Sequence, residues 1–283
     1  MFREIPAEAL IDPASQALDR SIAGDGFFDI YIQREAGAVS VSGGVFGPQV
    51  IHSLAMDDSF VDYFLYSVAA IDQQIALDFR FTERPQDADL RIYFDTSIEL
   101  PDSSGETLGI ALANQIQGQA PFWEVMLNKP AFEGDDNYLR YAALHEFGHV
   151  LGLEHPFDQS DGDVFGSSSP WDVNSAFPSE TVMAYRSPQF GLWSNTFTSN
   201  DLRALELIWG SENADPLING GLLSHDHHGG FASMIFDEQV HVLALDHSAS
   251  SVSHHHPDLD WLFGSFQGGC SDNLYERILG HLH

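Results

Sequence analysis

Residues 144–155 read Leu144-His145-Glu146-Phe147-Gly148-His149-Val150-Leu151-Gly152-Leu153-Glu154-His155. Positions four apart on a helix share a face, so His145 and His149 can aim ring nitrogens at one ion. Leu144, Phe147 and Leu151 fall on the opposite stripe and anchor the helix in a core. Gly152 marks the stop, because glycine accepts the left-handed conformation of a C-terminal cap. Chain reversal there brings His155 back as a third nitrogen ligand. Three neutral imidazoles leave one tetrahedral position of a zinc ion open to water, the catalytic rather than the structural arrangement. Glu146 points into the same cleft, where it can take a proton from the zinc-bound water, whose pKa is lowered to about 7. The product of that step attacks a carbonyl that the metal polarises, which is hydrolysis of an amide. With 14 His and 24 Gly among 283 residues, the five fixed residues of H-E-x-x-H-x-x-G-x-x-H arise by chance on the order of 10⁻⁴ times per chain. An amphipathic helix with merely structural histidines explains neither Gly152 nor His155.

These residues need a scaffold, and the pattern supplies one. Residues 1–22 read as a short helical lead-in with no strong partner face. Phe28, Ile30 and Ile32 alternate like a strand, and AVSVSGGVFGPQV reads as a Gly-broken hairpin. A broad helical stripe (Phe60, Phe64, Val68, Ile71) runs from Ser59 to about Ala76. Strands are expected over 77–83, 88–95, 105–116 and 122–127, and the motif helix over 136–151. Thr198-Ser199-Asn200-Asp201 is a Thr-x-x-Asp variant of the capping box and opens a helix that ends at Gly210. Within 107–116, small residues suit an edge strand that accepts another backbone by β-augmentation. Strands and helices are mixed, giving an α+β or α/β class.

The motif resembles that of the metzincin zinc peptidases, which carry a methionine-bearing turn beneath the metal. Ser179-Glu180-Thr181-Val182-Met183-Ala184-Tyr185 is the matching turn. His155-Pro156, the Met183-x-Tyr185 spacing and the capped helix after it are most similar to the serralysin-like branch, with matrixins second. The resemblance spans roughly residues 58–210. It implies an α+β metzincin-like (zincin) catalytic domain with a mixed, twisted sheet, an active-site helix and a Met-turn. It implies one catalytic Zn²⁺ on His145, His149 and His155, Glu146 as general base, and Met183 as the apolar floor. Tyr185 matches a tyrosine that reaches the metal or donates to the oxyanion. The substrate is then a protein or peptide held as an extended strand, and an inhibitor protein or pro-segment is a further expected partner. No N-terminal cysteine exists to block zinc as the matrixin thiol switch does.

Calcium is expected at Asp158, Asp161 and Asp163, three carboxylates in a Gly-containing loop after the third histidine. The balance of 11 basic and 42 acidic residues gives a net charge of −31, which repels phosphate backbones and anionic lipid. Nucleic acid and membrane insertion are therefore not expected. The start of the chain lacks the apolar stretch of a Sec signal, and Cys270 alone rules out an intrachain disulfide framework. Family analogy points to an extracellular location. The domain reading is a lead-in at 1–22, a catalytic domain at 23–212 and a His-rich C-terminal extension at 213–283. Ten of the histidines lie in that extension, from His225 onward. FASMIF and VHVLAL read there as a strand pair, and NLYERILGHL as a short helix. The rival reading is a non-catalytic peptidase-like or His-rich metal-binding protein.

Overall fold

The structure is a computed structural model that describes residues 3–96, 106–132, 134–169, 172–189 and 191–212, with the backbone alone at 240–245. Its elements are α1 (Ser15–Ile22), β1 (Phe27–Ile32), β2 (Gly37–Val41), β3 (Gln49–Ser53), α2 (Asp58–Asp72), β4 (Asp78–Phe81), β5 (Leu90–Asp95), β6 (Glu106–Asn114), β7 (Phe122–Asn128), α3 (Asp136–Val150), α4 (Ser199–Trp209) and β8 (Val240–Leu245). FASMIF and NLYERILGHL lie outside the described residues.

The main sheet is mixed. β4, β1, β5 and β7 run parallel in that order, and β6 is antiparallel to β7. Period-two alternation gives β7 two uses. Trp123, Val125 and Leu127 enter the large core with α2 and α3, while Met126 joins Tyr93, Ile110, Leu112, Val41 and Ile51 beneath the β2–β3 hairpin. Phe147 of α3 seats edge-to-face on Phe64 of α2, with ring centroids 5.3 Å apart. The α3 helix is buried on nearly every side, so its histidines sit inside the protein rather than on a solvated stripe.

Two expectations change. β6 is not an edge among the described residues: β8 pairs antiparallel along its outer side, placing Val242 opposite Ile110 and Leu243 opposite Gly109. The alternating run VHVLAL satisfies the backbone groups that an edge would leave open. Nor does the N-terminal stretch lack a partner. Ile5 and Leu10 are fully buried, Ile11 bridges Leu153, and Glu154 N–H donates to Leu10 O. Arg3 binds Glu180 through two short bonds, 2.8 Å from Nε and 2.6 Å from the terminal nitrogen. Burial alone would raise the Glu180 carboxyl, but Arg3 and the Phe177 and Arg3 N–H groups hold it below its ordinary value.

Candidate metal centre

Asp135 caps α3 by accepting from Tyr138 N–H at 3.1 Å. The other end closes as the glycine predicts. Gly152 has φ +91°, its N–H donates to His149 O at 3.0 Å, and Leu153 N–H donates to Gly148 O at 2.9 Å, the paired bonds of a Schellman motif. This turn throws the chain back across α3 and delivers His155.

The three rings meet. His155 Nε2 lies 3.2 Å from both His145 Nε2 and His149 Nε2. His145 Nδ1 faces Val182 O and His149 Nδ1 faces Leu153 O, each at 2.8 Å. Those carbonyls can only accept, so the proton sits on Nδ1 and both Nε2 atoms present lone pairs. A proton on His155 Nε2 serves only one of these two lone pairs well, whereas a cation between the rings satisfies all three nitrogens. Zn–N bonds of about 2.0–2.1 Å at tetrahedral angles separate ligand nitrogens by roughly 3.3 Å, so the donor set fits zinc.

Around this trio the expected residues take definite places. Glu146 is fully buried, and its carboxylate lies against Gly109 of β6: a Cβ built there would stand 2.6 Å from Oε1. Met183 is fully buried below α3, where its sulfur would stand 2.6 Å from a Cβ on Gly148. The Tyr185 ring is 4.7 Å from that of His155 and 5.8 Å from that of His145, centroid to centroid. Asp201 holds this turn from α4. It accepts from Thr181 Oγ1 (2.5 Å), Val182 N–H (3.1 Å) and Thr198 N–H (2.7 Å), completing the expected capping box. Its burial outweighs these donors and pushes its carboxyl above the ordinary value. Since Val182 O in turn anchors His145, α4 sets the orientation of one ring of the trio.

Several contributors escape motif reading. Phe157 stacks on His155 at 5.0 Å with the planes 1° apart, and Tyr141 donates to Ala184 O at 2.6 Å. Gly109 matters through a contact across space, signalled in sequence only by the small residues of its strand. The acidic loop also differs from expectation. The carboxylates that converge are Glu154, Asp161 and Asp163, whereas Asp158 accepts from Ser160 N–H in a local turn. Burial first, then the charges of Asp161, Asp158, Asp12 and Asp163, push the Glu154 carboxyl up to about 9.

Residues 55–162 match the matrixin family of peptidases, from the start of α2 through the third histidine. A serralysin of Photorhabdus luminescens is 34% identical over 99 residues, covering 30% of this chain and 20% of that protein. One from Photorhabdus sp. (strain Az29) is 28% identical over 134 residues, covering 43% of this chain and 26% of that protein. The chain thus spans only about a fifth to a quarter of the length of the relatives it matches. Among solved structures, the GM1-bound form of the ECX AB5 holotoxin aligns with 73% of this chain and 91% of its own, at 13% identity and a TM-score of 0.38, too low to bear on the fold. The matched residues, which include the histidine trio, are thus similar to peptidases of the matrixin family.

Proposed function

We propose that the chain is a zinc-dependent endopeptidase with Glu146 as general base. The observation that carries this reading is the convergence of three Nε2 atoms beside a buried glutamate. Zinc, held by His145, His149 and His155, would supply Lewis acidity and a water of lowered pKa. The chain's own residues do the rest. Glu146 accepts the proton of the attacking water and passes it to the leaving amine. The Tyr185 phenol donates to the oxygen on which negative charge develops. Met183 serves as the Met-turn floor, filling the space under the rings without chemistry of its own. Among the described residues no helix is long and apolar enough to cross a membrane, and the extracellular location stays part of this proposal, as do the 1–22, 23–212 and 213–283 boundaries. Metal analysis with a casein cleavage assay tests the reading. One zinc per chain with chelator-sensitive cleavage supports it, and several loosely held ions without cleavage support the metal-binding rival.

Gly109→Ala probes the base without touching a ligand. The new methyl must displace Glu146, whose Oε1 and Cγ lie 2.6 and 2.9 Å from it. A misplacement of about 1 Å can lower rate 10²-fold, so kcat should fall about 10- to 100-fold with zinc stoichiometry unchanged. Equal rates in both proteins would place the base elsewhere.

A substrate strand adding to β6 must compete with β8. Val242→Pro removes an N–H and introduces a ring that a paired strand tolerates poorly. The full-length variant should therefore cleave peptides several-fold faster, chiefly through a lower KM. An unchanged KM would mean that substrate does not use this edge.

A further inference from the structure

We propose that Glu154, Asp161 and Asp163 form a second cation site, for a hard divalent ion of the Ca²⁺ type, on the loop that carries His155. One carboxylate oxygen from each lies within 4.8 Å of the others. Glu154 is 2% exposed, and none of the hydrogen bonds among the described residues ends on its carboxylate. Oδ1 of Asp163 is likewise buried with no hydrogen-bond partner. Among the described residues none of the three pairs with a lysine or arginine.

An acidic patch on a surface needs no ion, because water solvates it. Glu154 differs, because its carboxylate is withdrawn from water and turned toward two more carboxylates. Buried charge of one sign calls for a counter-charge or a proton. Oxygen ligands lie about 2.3–2.6 Å from Ca²⁺, so two on one ion are at most roughly 5 Å apart, a limit this trio meets. An all-oxygen set disfavours the softer zinc held by the imidazoles. Gly162, at φ +92°, turns the chain between the two aspartates. The set differs from the spacing-based group of Asp158, Asp161 and Asp163 in its one buried member, which the sequence hides beside the third histidine.

The position gives the ion a task. Glu154 precedes His155, and its N–H is tied to Leu10 O. A cation bridging residues 154, 161 and 163 would close the loop after the third ring and stiffen its approach to the other two.

The test uses full-length, zinc-loaded Glu146→Gln protein, so that turnover plays no part, titrated calorimetrically with CaCl₂ and separately with MgCl₂. One saturable Ca²⁺ per chain is expected, with Kd of about 10⁻⁵ to 10⁻³ M, and hydrogen exchange of residues 154–165 should slow when it binds. Asp161→Asn with Asp163→Asn, both near the surface, should weaken binding about tenfold or more. Asp172→Asn, a half-buried carboxylate further along the chain and outside the trio, should leave it unchanged. No saturable heat up to about 5 mM Ca²⁺ would overturn the site, as would equal affinity in the double variant. Neither result depends on whether the imidazole centre cleaves peptides.

Discussion

Glu146→Gln should keep one zinc per chain and lose about 10² to 10⁴ of kcat, the range that a positioned general base contributes. The substitution preserves shape and length, which matters because Glu146 is fully buried against Gly109. It removes only the capacity to take a proton. His145 and His149 keep their orientations, since their outer nitrogens answer to Val182 O and Leu153 O and not to residue 146. KM should change little, because the lost interaction belongs to the reacting water and not to substrate binding. Zinc analysis and cleavage of unfolded casein, on the same preparation, check both halves. Wild-type kcat with full zinc would remove Glu146 from the chemistry.

Much of the site was legible because it is local. The bounds of α3 follow from Asp135 and Gly152, and helical geometry brings His145 and His149 to one face without help from the rest of the fold. His155 needed only one further inference, that Gly152 reverses the chain, and φ +91° meets it. What sequence could not supply depends on contacts between distant residues. The Arg3–Glu180 pair joins positions 177 apart, so nothing in the run 1–22 announces that it anchors the turn bearing Met183.

The β6 edge failed for a related reason. Alternation of apolar and polar residues identifies a strand but not its neighbours, and β8 arrives from more than a hundred positions downstream. Glu154 was overlooked because spacing in the acidic loop drew attention to Asp158. Which carboxylate turns inward depends on the course of the chain after Gly152. Charge counting finds acidic loops, and only burial distinguishes the carboxylate that water cannot serve.

Burial and loop anchoring together make metal removal the other large effect. Stripping zinc with 1,10-phenanthroline should abolish cleavage and lower Tm by about 8–16 °C. A ligand present at 1,000 times its Kd stabilises by about 4 kcal/mol, and each kcal/mol is worth about 2–4 °C in a domain of this size. The cost arises because His145, His149 and His155 are buried with nitrogens 3.2 Å apart, so the stripped protein must leave two ring nitrogens to share one His155 proton or swing the 155 loop outward. Outward movement would sacrifice the Phe157–His155 stack and strain the Ile11–Leu153 bridge, linking the metal to the N-terminal strap. His155→Ala should reproduce the loss of zinc but soften its effect on Tm, since it also removes one of the converging ring nitrogens. Calorimetry before and after zinc is returned to the stripped wild type reads the effect directly. If stripping moved neither Tm nor cleavage, the convergence of these imidazoles would have no metal to explain it.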